Sequence, residues 1–196
     1  MRLYHFSEDP DIKMFVPRPV RIPVERPAGS DWLNGPLVWA IDASHQMMYL
    51  FPRDCPRILL WATPDSTSQD IEYWWRGSLY KTLAYIEKAW LERLQTTTIY
   101  RYELPTESFE DIQDAGMWVS KEVVEPSRMD ALSDLMDELE NHDTELRVAH
   151  SLVPLKEVWR TSLHASGIRL RNARGWGKPG WTHSKKDRVI EITEPE

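Results

Sequence analysis

Cysteine is almost absent from this chain of 196 residues, in which Cys55 is the only one. A single thiol excludes an internal disulfide framework and a cysteine-rich zinc site. Its place beside Pro56 favours a packed small side chain over a nucleophile. The chain also lacks an apolar run near the roughly 20 residues that a membrane span needs. Met1 leads directly into the strand-like Arg2–Phe6 without a secretory leader, and we therefore expect a cytoplasmic protein with no membrane partner.

Positive charge is scarce over most of the chain, because 31 acidic residues outnumber 24 Lys and Arg and leave a net charge of −7. That balance argues against a generic binder of nucleic-acid backbones, which needs a basic surface. The basic residues gather near the C-terminus. We therefore expect a single α+β domain over residues 1–174 and a loosely ordered basic tail over residues 175–196.

The pattern of apolar residues predicts alternating strands and helices with a long irregular segment between the first two strands. That segment, Pro17–Pro36, contains five prolines and two glycines, and we interpret it as a loop and a candidate lid. The predicted strands are Arg2–Phe6, Val38–Ile41, Ile58–Ala62, Thr96–Leu104, Met117–Ser120 and Leu146–Ala149. The predicted helices are Ile71–Leu94, unbroken or divided near Gly77, then Ser127–Leu139, and Pro154–Ser166 with Gly167 as its end.

The stretch from Leu37 to Arg57 concentrates the features of a binding pocket. A β-prone run ends at Asp42, whose carboxylate can cap the turn that follows. A short helix then carries apolar residues on its faces, and Pro52 and Pro56 close the segment. The polar tips that this stretch presents are His45, Tyr49, Arg53, Asp54 and Arg57.

His5 stands at the end of the first predicted strand, where pockets commonly form. The chain contains no phosphate-binding G-x-x-x-x-G-K, no dinucleotide G-x-G-x-x-G, no H-E-x-x-H and no G-x-S-x-G. His5 and His45 are not at the close spacing typical of a metal site, so we predict no metal.

Two of these stretches resemble motifs of the ADP-ribosyltransferase fold. Leu3–Ser7 resembles its first motif, in which a histidine holds the ribose and amide side of NAD. Val38–Asp42, with His45 and Tyr49 after it, resembles the second, in which aromatic residues such as Trp39 and Tyr49 sandwich the nicotinamide. The resemblance implies a small mixed or antiparallel split β-sheet with flanking helices, and NAD as the substrate.

A closer resemblance covers the span to about Trp176. Three sequence segments are similar to those of an uncharacterised family of small bacterial proteins: LYHFSEDPDI, YLFPRDCPR and SGIRLRNARGW. That family carries no activity that could be transferred to this chain.

The third motif of the resembled fold departs from its usual pattern. ADP-ribosyltransferases generally carry an acid at its start, and the best register places Met117 there. Glu122 lies farther along and is our candidate catalytic acid beside His5, with Glu103 and Asp42 as alternatives. A carboxylate is needed because the transition state gains positive charge. Arg53, Arg57 and Arg18 offer donors suited to the phosphates.

Two functions therefore stay open. In the first, the protein is an NAD-dependent transferase that passes ADP-ribose to water or to an unknown acceptor, for which protein or RNA would be suitable. In the second, the same cleft is a non-catalytic nucleotide-binding or protein-interaction module, as the missing acid would allow.

Incubation with NAD separates these two functions. A transferase releases nicotinamide, and His5→Ala should abolish the release because the ribose loses its hydrogen-bond partner. A binding module should instead bind the nucleotide tightly and release no nicotinamide. Chromatographic measurement of free nicotinamide decides between the two outcomes.

Overall fold

The computed structural model describes residues 1–23 and 25–177. The fold is mixed α+β, as predicted, and consists mostly of sheet with a few short helices. No helix within these described residues is long and apolar enough to cross a membrane. The more specific likeness to ADP-ribosyltransferases stays a prediction.

Two compact units make up the described chain. The first comprises Met1–Arg53 and Thr96–Leu135, and the second comprises Asp54–Gln95 and the described residues from Met136 onwards. The single domain predicted over residues 1–174 stays a prediction, and the predicted tail lies outside the described residues from residue 178 on.

The described residues form ten strands, three α-helices and several short 3-10 helices. The strands are β1 (Leu3–Ser7), β2 (Val38–Asp42), β3 (Arg57–Trp61), β4 (Thr82–Glu87), β5 (Ile99–Leu104), β6 (Glu110–Asp111), β7 (Met117–Ser120), β8 (Arg128–Leu132), β9 (Thr144–Ala149) and β10 (His164–Ile168). The α-helices are α1 (Ser68–Trp75), α2 (Leu91–Thr96) and α3 (Leu135–Asn141). The 3-10 helices are Asp31–Asn34, Gln46–Tyr49, Lys88–Trp90, Val153–Arg160 and Leu170–Asn172.

The first unit is built on a six-stranded sheet in the order β6-β7-β2-β1-β5-β8, with every neighbouring pair antiparallel. One face of this sheet buries Leu3, Val38, Ala40 and Tyr102. Phe15, in the loop after β1, packs on the same face and is held there by an isolated bridge to Val124. This apolar cluster fixes β1 at the centre of the unit.

The sheet is partly split beside β1. Five residue pairs join β1 to β5, from Leu3 with Leu104 to Ser7 with Tyr100. Only two pairs join β1 to β2, Leu3 with Asp42 and Tyr4 with Ile41. The regular ladder between β1 and β2 therefore stops just before His5.

The second unit is built on a four-stranded sheet in the order β10-β3-β4-β9. The β4–β9 pair is parallel and the other pairs are antiparallel. The core of this unit is aromatic and aliphatic and includes Trp74, Trp75, Trp159 and Trp176. Thr67 is the N-cap of helix α1, because its hydroxyl accepts a hydrogen bond from the Asp70 N–H at 3.2 Å, and the spacing of Thr67 and Asp70 in the sequence is that of a capping box.

Of the two alternatives for Ile71–Leu94, the unbroken helix is wrong and the break near Gly77 is confirmed, although strand β4 precedes the second helix, α2. Helix α1 ends at Trp75, after which Arg76 and Gly77 adopt left-handed φ angles of 47° and 87°. All six residues of β4 are buried, since this strand lies between β3 and β9. The middle of β4, residues 83–86, is a continuous apolar run, and such a run cannot be told from part of a buried helix by its spacing alone.

Two further predicted helices are wrong in part. The segment predicted as a helix over Ser127–Leu139 contains strand β8 first and only then α3. The segment predicted as a helix over Pro154–Ser166 is a 3-10 helix that ends at Arg160, followed by β10. Gly167 lies inside β10 and pairs with Ile58, so it does not end a helix. In both cases tertiary strand pairing overrides the local helical pattern.

The hydroxyl of Tyr102 anchors the loop after β1 to β5. It donates to the Asp9 carbonyl at 2.6 Å and accepts from the Ile12 N–H at 3.3 Å. We expect Tyr102→Phe to lower the free energy of unfolding by about 1–2 kcal/mol, because both backbone groups lose their partner. Tyr100→Phe on the same strand is the control, with an expected change under about 0.5 kcal/mol. Equal losses for the two variants in urea denaturation would contradict this assignment.

Candidate functional site

The end of β1 is joined to the segment from Trp39 to Arg53 by three successive contacts. His5 Nδ1 lies 2.8 Å from the Trp39 carbonyl oxygen. The Phe6 ring stacks on Tyr49, with centroids 6.2 Å apart and ring planes 15° apart. Glu8 Oε1 accepts a hydrogen bond from the Arg53 N–H at 2.8 Å. These contacts lie within the first unit and define what we call the β1-end site.

The contact with Trp39 fixes the protonation of the His5 ring. A carbonyl oxygen can only accept, so Nδ1 carries the proton and Nε2 of the neutral ring is a hydrogen-bond acceptor. Burial lowers the pKa of His5, the hydrogen bond to Trp39 opposes that effect, and the positive charge of Arg53 lowers the pKa further. The other side of the ring packs on Phe15, with centroids 4.6 Å apart. His5 is therefore held as a neutral, oriented imidazole.

Asp42 organises the start of the segment that follows β2, as the sequence predicted. Its Oδ1 accepts from the backbone N–H of His45 at 2.9 Å and from the Ser44 hydroxyl at 3.1 Å. The same oxygen lies 2.8 Å from His45 Nδ1. Gly116, with a φ of 74°, packs so closely that a Cβ there would lie 2.3 Å from His45 Nδ1. His45 is thus held by Asp42 and closely covered by backbone.

A buried amide ties the 3-10 helix Gln46–Tyr49 to the sheet. The Gln46 side chain donates to the Ala43 carbonyl at 2.8 Å and accepts from Arg101 Nη1 at 2.9 Å. Arg101 in turn donates to Asp130 at 3.1 Å and lies over the Tyr4 ring. Arg101 pairs with Phe6 in the sheet register. The helix that carries Tyr49 is therefore anchored to the same row of the sheet on which the Tyr49 ring rests.

The two predicted aromatic residues occupy different environments. Tyr49 stacks on Phe6, and its hydroxyl donates to Met117 Sδ at 3.4 Å. The Trp39 side chain packs with a small apolar cluster that contains Leu33, Leu37 and Val119. Because successive side chains of a strand point to opposite faces, His5 and Phe6 project away from each other. His5 contacts Phe15, so its ring and that of Tyr49 belong to opposite faces of β1.

The acid expected for the third motif is not provided by β7. Met117 stands at its start and contacts Tyr49. Glu122 follows the end of β7, is exposed, and has its backbone N–H bonded to the Ser120 hydroxyl. The carboxylate of the β1-end site is instead that of Glu8, which accepts the Arg53 N–H and was not predicted from the sequence. Its signal was the acidic turn Ser7–Pro10 directly after the strand that carries His5.

One protein-family model matches most of the chain. The model describes a family of unknown function, DUF6886, and matches residues 4–173. The chain belongs to this family. Comparison with curated proteins and with solved structures gives no significant match.

The three predicted phosphate-binding arginines of this family member are dispersed. Arg53 belongs to the β1-end site and is exposed. Arg18 is also exposed, and its backbone pairs with that of Leu37. Arg57 lies in the second unit, is 2% exposed, and donates to the Cys55 carbonyl at 3.0 Å. Arg53 is the one of these three arginines for which a direct contact with the end of β1 is described.

The remaining candidate chemistry is limited. Within the described residues, no group of three or more His, Cys, Asp and Glu side chains could hold a metal ion. Burial raises the pKa of Cys55 to about 12, with nearby Arg57 opposing the shift. The thiol is therefore protonated at neutral pH and is a poor nucleophile.

The lowered pKa of His5 predicts a contribution to pH-dependent stability. Between the ordinary histidine pKa of about 6.5 and the lower pKa of the folded protein, the unfolded chain binds more protons. The free energy of unfolding should therefore fall as the pH falls through this window. His5→Asn keeps a donor for the Trp39 carbonyl but does not titrate, so it should weaken this dependence. Urea denaturation between pH 7.5 and pH 4.5 measures it, and identical pH profiles for both proteins would refute the assignment.

Proposed function

We propose that this protein binds an NAD-like nucleotide at the β1-end site, and that binding, rather than transfer of ADP-ribose, is its principal activity. The observation that carries the proposal is the state of His5. Its Nδ1–H is committed to the Trp39 carbonyl at 2.8 Å, and the ring is kept neutral by burial and by Arg53.

A neutral imidazole in this tautomer suits a ribose. Nε2 is an acceptor, and no described residue forms a hydrogen bond with it. A ribose hydroxyl is a donor of matching chemistry, and the fixed ring orientation lowers the entropic cost of forming the bond. The resemblance of Leu3–Ser7 to the first motif of the ADP-ribosyltransferase fold supports the same role for His5.

Arg53 supports a phosphate-bearing ligand. Its positive charge lowers the pKa of His5 further than burial does alone, so the two side chains interact electrostatically. The Glu8 carboxylate fixes the backbone at Arg53 by accepting its N–H. Guanidinium donors form strong charge-assisted hydrogen bonds with phosphate oxygens. An acceptor nitrogen beside a cation matches a ribose joined to phosphate.

The aromatic side chains of Tyr49 and Trp39 could hold a planar base or nicotinamide, but on the face of the sheet opposite the His5 ring, so they do not contact the same part of a ligand as His5 Nε2. Tyr49 and Trp39 flank the part of the chain that contacts β1 through Phe6 and His5. Trp39 was expected to sandwich a ring with Tyr49, and a ligand that does so would have to move Tyr49 away from Phe6. Because Arg101 anchors the Gln46–Tyr49 helix through Gln46, we expect the Tyr49 ring to move by a side-chain rotation rather than by a displacement of the helix.

Transfer of ADP-ribose is the second candidate function. A cleaving site needs a carboxylate near the ribose to stabilise the positive charge of the transition state. Met117 at the expected position and the exposed Glu122 give little support to that chemistry. Glu8 is the observation in its favour, because it is a carboxylate joined to the same site. The recipient in that case would be water, a protein or an RNA.

Calorimetric titration with NAD and with ADP-ribose tests the binding proposal. His5→Asn keeps the bond to Trp39 but removes the Nε2 acceptor, so affinity should fall about ten-fold. Arg53→Met should reduce affinity by about ten-fold or more, since a charge-assisted contact is lost. Arg21→Met, which removes an exposed charge from the loop before β2, is the matched control and should bind normally. No binding to the wild-type protein, or equal losses in Arg21→Met, would reject the proposal.

A further inference from the structure

Two neighbouring N–H donors are among the three buried donors of the first unit that have no acceptor within the described residues. Trp39 Nε1 and Arg26 Nε are both buried, and neither has a hydrogen-bond partner within the described part of the chain. The third, Arg101 Nε, belongs to a guanidinium that is already bonded to Gln46 and Asp130 through its other nitrogens. A buried donor without a partner destabilises the folded protein, and native proteins seldom leave one unsatisfied. Such a group calls for an acceptor supplied from outside the chain.

The two donors are neighbours. The Arg26 guanidinium carbon lies 5.8 Å from the centre of the Trp39 ring. Arg26 is in the long loop between β1 and β2, and Trp39 is in the middle of β2. The cation–π contact uses the face of the indole and leaves its N–H unused. One acceptor placed at the edge of this pair could therefore serve both donors.

The charge of Arg26 indicates which kind of acceptor fits. Burial lowers the pKa of Arg26, and Asp114 opposes the shift from a distance. Among the described residues, Arg26 forms no ion pair at contact distance. A half-buried cation in this situation is stabilised most by a negative oxygen, which accepts hydrogen bonds and also compensates the charge.

We propose that Arg26 and Trp39 form an oxyanion site that binds a phosphate group, either free or as part of a nucleotide. The site goes beyond the proposed function, because neither Arg26 nor the Trp39 indole N–H belongs to the β1-end site. Trp39 nevertheless links the two, since its carbonyl accepts from His5 while its indole faces Arg26. The Trp39 side chain projects from the face of the sheet opposite the His5 ring, so the oxyanion site and a ligand on His5 are tested separately.

Nuclear magnetic resonance of the ¹⁵N-labelled full chain tests the oxyanion site directly. Trp39→Phe identifies the Trp39 indole signal by its loss. Inorganic phosphate and pyrophosphate, titrated at constant ionic strength against chloride, should shift that signal saturably as the N–H gains an acceptor. Arg26→Met should weaken the response at least ten-fold, whereas Arg21→Met from the same loop should leave it unchanged. The other indole signals report whether each variant remains folded.

The outcomes separate this inference from the proposed function. A Trp39 shift with pyrophosphate that persists in His5→Asn supports the oxyanion site, even if NAD does not bind. Tighter binding of ADP-ribose than of phosphate, with the same Trp39 shift, assigns the site to a nucleotide. The inference is overturned if the signal does not move, if chloride moves it equally, or if Arg26→Met responds like the wild type. Binding of ADP-ribose without a Trp39 shift would overturn it and leave the proposed function intact.

Discussion

The hydrogen bond from His5 Nδ1 to the Trp39 carbonyl is the interaction on which the rest of the first unit depends. It lies where the ladder between β1 and β2 has stopped after two pairs, so a side chain bridges the two strands beyond the ladder. The bond holds the split sheet together at that point. It also selects one tautomer of the imidazole and leaves Nε2 as the acceptor. The same hydrogen bond therefore stabilises the sheet and sets the protonation of the candidate ligand-binding imidazole.

The segment from Asp42 to Arg53 is the second essential feature, because it is held at its start, its middle and its end. Asp42 caps the start, the Gln46 amide is held by Arg101 in the middle, and Glu8 accepts from Arg53 at the end. The contacts of Asp42 and Gln46 satisfy polar groups that would otherwise be costly to bury, and the exposed contact of Glu8 holds the end of the segment against β1. A segment without long regular structure is thereby fixed over β1, which gives its side chains defined positions.

Two donors of the first unit that have no acceptor among the described residues, Trp39 Nε1 and Arg26 Nε, lie next to each other beside β2. Trp39 and Arg26 lack acceptors, whereas Asp42, Gln46 and Glu8 are engaged. Unsatisfied polar groups concentrate at functional positions because a ligand can complete them. Because the polar groups nearby have partners while the Trp39 and Arg26 donors do not, we place an anionic ligand beside Trp39.

Local sequence was sufficient to determine the strands around His5 and Trp39, the caps at Asp42 and Thr67, and the mixed α+β class. These depend on residues within a few positions of one another, such as alternating apolar side chains and short polar caps. Tertiary structure alone decided that Thr82–Glu87 is a central strand, that Glu8 meets Arg53, that Arg57 is buried in the second unit, and that Arg26 covers Trp39. Strand pairing and side-chain contacts of this kind join residues far apart in the chain, and no local pattern encodes which partner will satisfy a given group.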